Sequence, residues 1–158
     1  STLWTKKEVI LKSLSDEVKK KIGIIGTTYT SYGVNYILET LSKFPKIDTL
    51  IVFGADLSTS GETLEEIFKH KRIPKIITLD HSKVKKIIET VNLIDLREEF
   101  KKGNFKALEN AIKEKFNINA KEVREVIDLA IEEKAELQSW PIPLSCHYIY
   151  ETSILEHG

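Results

Sequence analysis

Two short apolar runs, Ile22 to Ile25 and Thr49 to Phe53, each end in glycine followed by small polar residues, with an amphipathic stretch of helical period between them. That order reads as strand, crossover helix, parallel strand, because a parallel strand buried on both faces is apolar without alternation. The loops Gly26-Thr27-Thr28 and Gly54-Ala55-Asp56 then leave the carboxyl ends of neighbouring strands, where open α/β sheets hold their ligands. Two further runs extend the pattern. Ile76 to Leu79 ends in Asp80-His81-Ser82, and Val91 to Leu96 closes on Asp95-Leu96-Arg97. The expectation is a three-layer α/β domain with a mostly parallel sheet of four or five strands, built from residues 21 to 96.

Helices are expected around these strands. Thr5 to Lys19 has a cap in Thr5 with Glu8 behind it, and Val34 to Lys43 buries Val34, Ile37, Leu38 and Leu41. Thr59 and Glu62 form a capping box ahead of Leu64, Ile67 and Phe68, and Asp80 or Ser82 caps a helix over Val84 to Thr90. Beyond Gly103 the chain turns helical, with the rhythm of Phe105, Leu108, Ala111, Ile112 and Phe116 and then, after an Asn119 cap, of Val123, Val126, Ile127, Ala130 and Ile131. These helices, 104 to 135, have one apolar face each and are expected on the sheet of a single 1–158 domain. The tail from 139 to 158, with Trp140-Pro141-Ile142-Pro143, reads as a docking arm or linker.

Composition limits the function. Lys plus Arg and Asp plus Glu number 24 each, so no basic field draws in nucleic acid. No apolar run reaches the ~20 residues of a membrane span, and one cysteine, Cys146, excludes an internal disulfide. A cytoplasmic protein without membrane insertion is the expectation. The absence of Met suggests a domain taken from a longer chain, with another domain or subunit of that parent as its partner.

Motifs with known chemistry are missing. The 26–33 loop lacks the G-x-G-x-x-G spacing and no G-K-[ST] follows it, but its hydroxyls and amides at a helix start suit an anionic or hydrogen-bonding ligand. No His, Cys or acidic pair has the spacing of a zinc site, so no metal is assigned. Cys146-His147 are sequence neighbours whose side chains point apart, without an orienting third group. Asp56 and His81 are the acid and base of a rival reading, an enzyme acting on a nucleotide or phosphorylated metabolite. No nucleophile with base and orienter is evident, so no catalytic residue is assigned and no turnover is expected of the isolated domain. A third reading is a non-catalytic interaction module. The favoured one is a small-cofactor site on three strand-end loops, Gly26 to Ser31, Gly54 to Thr59 and Asp80 to Ser82. In it Gly26, Thr27, Thr28, Tyr29, Gly54, Asp56, Ser58, Thr59 and His81 face the ligand, and Tyr29 and Tyr32 supply an aromatic wall.

The run Gly26-Thr27-Thr28-Tyr29-Thr30-Ser31-Tyr32-Gly33-Val34, the exit Pro45-Lys46-Ile47, the strand Thr49 to Gly54 and then Gly61-Glu62-Thr63-Leu64 resemble the cytoplasmic domain of the cobalt-ligating component of tetrahydromethanopterin S-methyltransferase. They are more similar still to archaeal pterin-binding-type domains associated with thymidylate synthase, over roughly residues 20 to 100. The resemblance implies a Rossmann-like domain of one-carbon metabolism holding a reduced pterin (tetrahydromethanopterin or tetrahydrofolate) or a corrinoid. The methyltransferase component presents its cobalt-ligating histidine three residues before its Gly-Gln pair. Here that place is Ser58, a poor cobalt ligand, which favours the pterin over cobalamin and methyl transfer.

Overall fold

The computed structural model describes residues 1–129. In chain order the elements are α1 (Lys7–Lys12), α2 (Asp16–Lys19), α3 (Val34–Lys43), β1 (Thr49–Val52), α4 (Ser60–Phe68), α5 (His81–Ile88), β2 (Asn92–Asp95), α6 (Arg97–Lys101) and α7 (Phe105–Lys115). The architecture is mixed α/β, with a small parallel sheet in which β1 pairs with β2 from Thr49 opposite Asn92 to Val52 opposite Asp95.

Burial of β1 on both faces explains its apolar sequence. Val52 and Leu50 belong to a core with Val34, Leu38, Leu64, Ile67, Val84 and Ile87 from α3, α4 and α5. Ile51 and Phe53 point the other way, into a second core with Ile10, Val18, Leu108 and Ile112 from α1, α2 and α7. There Phe53 meets Phe100 and Phe105 edge-on, at centroid separations of 5.2 and 5.1 Å, a preferred geometry for aromatic pairs. Each face of the strand has its own helices to bury.

Several expectations are corrected. Of the four apolar runs, Ile22–Ile25 and Ile76–Leu79 form no strand, so the sheet among the described residues has two strands and not four or five. An apolar run reports burial, whereas a strand also needs a ladder partner beside it. For Gly26 to Thr28 that neighbour is the irregular segment Ser1 to Thr5, which also bonds to the far side of β1. Thr2 N donates to Gly26 O and Thr28 N to Leu3 O, while Phe53 N donates to Ser1 O and Trp4 N to Ala55 O, all at 2.9–3.0 Å. Leu3 sits at φ 51, in the left-handed region, and this breaks the extended run.

The expected helix 5–19 is two helices, parted at Ser13-Leu14-Ser15, where the Ser15 hydroxyl accepts from Val18 N and starts α2. Thr5 does not cap α1; its hydroxyl accepts from Ala55 N. The Thr59–Glu62 capping box is also absent. Thr59 makes no side-chain cap, and the first turn of α4 is capped by Asp56, which accepts from Gly61 N at 3.1 Å. Asp80 does cap α5, accepting from Ser82 N at 2.9 Å. Its carboxyl lies below the ordinary range because Ser82 donates to it.

The expected helix after Asn119 does not form within the described residues. Residues 120–129 run as an irregular segment along the C-terminal end of α3, with Val123 N donating to Pro45 O and Ile127 N to Ser42 O. Arg124 supplies the reason. Its guanidinium donates to Leu41 O and Ile47 O at 2.7 Å and to Phe44 O at 2.9 Å, satisfying carbonyls that a helix end leaves orphaned. Burial holds this guanidinium below its usual pKa. Arg124→Ala is expected to lower unfolding stability by about 2 kcal/mol, and Arg124→Lys to recover little of it, since one ammonium cannot span three carbonyls. Full recovery by lysine in urea titrations would refute this capping role.

Candidate functional site

At the C-terminal edge of the parallel pair, β1 runs into Gly54–Thr59 and β2 into Leu96 and Arg97. Two of the three expected loops meet here. The Ser31 hydroxyl lies 3.1 Å from that of Thr59 and accepts from Thr63 Oγ1 at 3.1 Å, and Ser60 Oγ donates to Thr28 O at 2.9 Å. The Ser58 hydroxyl contacts that of Ser60 at 3.4 Å. The result is a patch of small hydroxyls, with Ser31 and Ser58 half-buried and Thr59 exposed. Glu62 is exposed as well.

The remaining expected residues divide in their roles. Gly26 gives its carbonyl to Thr2, and Gly54 lies against the Thr2 backbone. Thr28 is buried with its hydroxyl 2.8 Å from that of Ser1, and Thr27 is half-buried. Tyr29 packs edge-on against Trp4, centroids 5.0 Å apart, and Trp4 is 40% exposed. Tyr32 pairs edge-on with Tyr36 instead, and its hydroxyl is buried without a hydrogen-bond partner among the described residues. Among these rings, Tyr29 with Trp4 forms an aromatic wall that reaches solvent.

The third loop is anchored differently. Asn35, buried on α3, accepts from Thr78 N and donates to Ile76 O, both at 3.0 Å, which fixes the segment leading to Asp80. His81 is exposed, and its Nε2 lies 3.3 Å from Ile77 O in the preceding turn.

Asp56 is not a solitary base. Arg97 reaches it through Nη1 at 3.0 Å, Glu65 through Nη2 at 2.8 Å, and Asp95 through Nε at 2.9 Å and Nη2 at 2.7 Å. Desolvation opposes ionisation of Asp95, but the hydrogen bonds and charge of Arg97 outweigh it and hold the carboxyl below its ordinary range. Arg97 is itself held protonated more firmly than usual, chiefly by Asp95. The sequence marked Asp95 and Arg97 as polar groups at a strand end. It carried no sign of Glu65 as their neighbour in space, nor of Thr63 as a partner of Ser31.

With Asp56 on Arg97 and on the Gly61 amide, and His81 on a carbonyl of its own segment, neither side chain is arranged as an acid or base. Among the described residues no group of three or more His, Cys, Asp or Glu could hold a metal ion, and no helix is long and apolar enough to cross a membrane. Cys146, His147 and the 139–158 tail lie outside the described residues. Comparisons with protein families, with curated proteins and with solved structures return no match.

One residue of the patch is strained. Thr59 has φ 64, a left-handed conformation that a β-branched side chain resists. Such outliers concentrate where a ligand or switch needs them. Thr59→Gly is expected to raise stability by about 1 kcal/mol in thermal melts. A loss of stability would mean that the strain is compensated locally.

Proposed function

We propose that the chain is a Rossmann-like, three-layer cofactor-binding domain that has no turnover alone and holds a reduced pterin on Gly26–Ser31 and Gly54–Thr59. The observation that carries this reading is the meeting of these two loops at the carboxyl edge of a parallel strand pair, with Ser31, Ser58 and Thr59 offering donors and acceptors beside the Tyr29–Trp4 wall. A flat heterocycle with amide-like edges needs that combination. The strain at Thr59 and the resemblance of residues 20 to 100 to pterin-binding-type domains support it further. Ser58, in place of an axial histidine, sets a corrinoid second. The domain then serves one-carbon chemistry carried out by another domain or subunit, as in a thymidylate synthase-like protein.

The test is calorimetric titration with tetrahydrofolate, tetrahydromethanopterin and cobalamin, using Ser58→Ala and Asp56→Asn as variants with folding checked by circular dichroism. A pterin is expected to bind, and Ser58→Ala to weaken it about tenfold, the effect of one lost hydrogen bond. No heat with either pterin defeats the proposal. Cobalamin binding alone would favour the corrinoid reading.

A further inference from the structure

The hydroxyl patch of the strand-end site is held from behind. Asp56 lies on the loop that leaves β1, and each of its carboxylate oxygens faces a donor of the protein: Oδ1 accepts from Gly61 N at 3.1 Å, and Oδ2 from Arg97 Nη1 at 3.0 Å. The first bond closes a short ring over residues 56–61. The second ties that ring to the end of β2, because Arg97 is itself fixed on Asp95 through Nε and Nη2 and on Glu65 of α4 through Nη2. One guanidinium thus joins three elements. The Arg97 and Asp56 side chains are only 16% and 15% exposed, so solvent screens their contact little.

Gly61 is the residue that lets this pair close. A Cβ there would fall 2.7 Å from Asp56 Oδ2, 2.9 Å from Asp56 Cγ and 2.8 Å from Arg97 Cδ. Its φ is not positive, so this glycine serves close approach and not backbone freedom. Within the ring sits Thr59, at φ 64. A glycine would take that conformation unaided, whereas a β-branched residue takes it only where its surroundings over-determine it. Its carbonyl accepts from Thr63 N at 3.0 Å and from Thr63 Oγ1 at 3.1 Å, and its hydroxyl lies against that of Ser31. A return to negative φ would rotate the Thr59 side chain and carbonyl relative to the loop before them. The contacts on the two sides of the residue could not then both be kept.

We propose that Arg97 is the positioning residue of the strand-end site: through Asp56 it holds the ring closed, keeps Thr59 left-handed and so sets the Ser58 and Thr59 hydroxyls beside Ser31 in the arrangement that receives the cofactor. This role rests on the cofactor-binding reading. Charge-assisted hydrogen bonds outweigh the cost of one left-handed residue, so the shape of a loop on β1 depends on an arginine beyond β2. Threonine in place of glycine at position 59 makes that dependence strict. Asp56 then acts on the loop and not on the ligand.

The test uses the full chain, first without ligand, with circular dichroism to check that each variant is folded. A residue at positive φ gives a strong intraresidue HN–Hα cross-peak in NMR, and Thr59 is expected to show one. Gly61→Ala keeps every charge and suits a helical first turn, yet forces Asp56 and Arg97 apart; Arg97→Met removes the pair altogether. Both are expected to lose the strong Thr59 cross-peak, while Gly23→Ala, whose Cβ meets nothing within 4 Å, keeps it. Calorimetric titration with tetrahydrofolate follows. Gly61→Ala and Asp56→Asn are expected to weaken binding about tenfold, in step with the change at Thr59. A left-handed Thr59 that survives in both Gly61→Ala and Arg97→Met overturns the proposal. So does weaker binding by Asp56→Asn with Thr59 unmoved, because Asp56 would then meet the ligand itself. A chain that binds no pterin, yet loses the cross-peak in these variants, refutes the cofactor reading and leaves the hold of Arg97 on the loop standing.

Discussion

Alanine at position 54 is expected to lower the unfolding free energy by about 3 kcal/mol, the upper range for overpacking a closed site. A Cβ built on Gly54 falls 2.0 Å from Thr2 O and 2.6 Å from Thr2 C. Both are backbone atoms, so no flexible side-chain end can swing aside. The strand-side segment Ser1–Thr5 must then withdraw, losing the Phe53 N–Ser1 O and Trp4 N–Ala55 O bonds and exposing Leu3, which is completely buried. Gly23 is the internal control, because a Cβ there meets nothing within 4 Å. Gly23→Ala is expected to be neutral or to stabilise by about 0.5 kcal/mol through the unfolded chain. Urea titration of the two variants separates them. Similar midpoints would mean that Ser1–Thr5 does not lie against Gly54 in solution.

Arg97→Met is the second large effect, and its pH dependence is more telling than its size. The guanidinium is 16% exposed and is the common partner of Asp56, Glu65 and Asp95. Its removal leaves three carboxylates facing one another, at an expected cost of about 3 kcal/mol near neutral pH. The sign of the acid limb follows from Asp95. A carboxyl depressed in the folded state contributes stability that is present above its unfolded value, about 3.9, and is lost as pH falls through the folded one. The unaltered chain therefore loses this contribution only below about pH 4. In Arg97→Met, protonation relieves repulsion, so stability is expected to rise as pH falls from 7 toward 4. Parallel curves for the two proteins would show that the carboxylates are screened from each other. Arg97→Lys is expected to lie between them, because one ammonium cannot reproduce the fork on Asp95 while also reaching Asp56 and Glu65.

Helices with one apolar face were the most legible part of the chain. Val34 to Lys43 has the bounds that its periodicity implies, and Leu64, Ile67 and Phe68 are buried on α4 as expected. Strands were legible only where a partner happened to be present: Thr49–Val52 and Asn92–Asp95 pair, whereas Ile22–Ile25 has the same composition and no neighbouring ladder. Val123, Val126 and Ile127 kept a helical rhythm, but Arg124 draws the segment onto the carbonyls of α3, a competition that no local pattern encodes. The same limit applied at the site. The two loops that meet at the site could be placed from Gly26 and Gly54, yet Arg97 joins Asp56 and Glu65 across 41 and 32 residues of sequence, so Asp56 read as open when it is already paired.

The most direct test of the cofactor-binding account is a map of backbone amide shifts during titration with tetrahydrofolate. A bound pterin is expected to give saturable shifts concentrated at Thr27, Tyr29, Ser31, Ser58 and Thr59, with Ile24 and Thr49, which line a separate cavity beside β1, unmoved. Shifts confined to Ile24 and Thr49, or none in residues 26–31 and 54–59 at millimolar ligand, would contradict it.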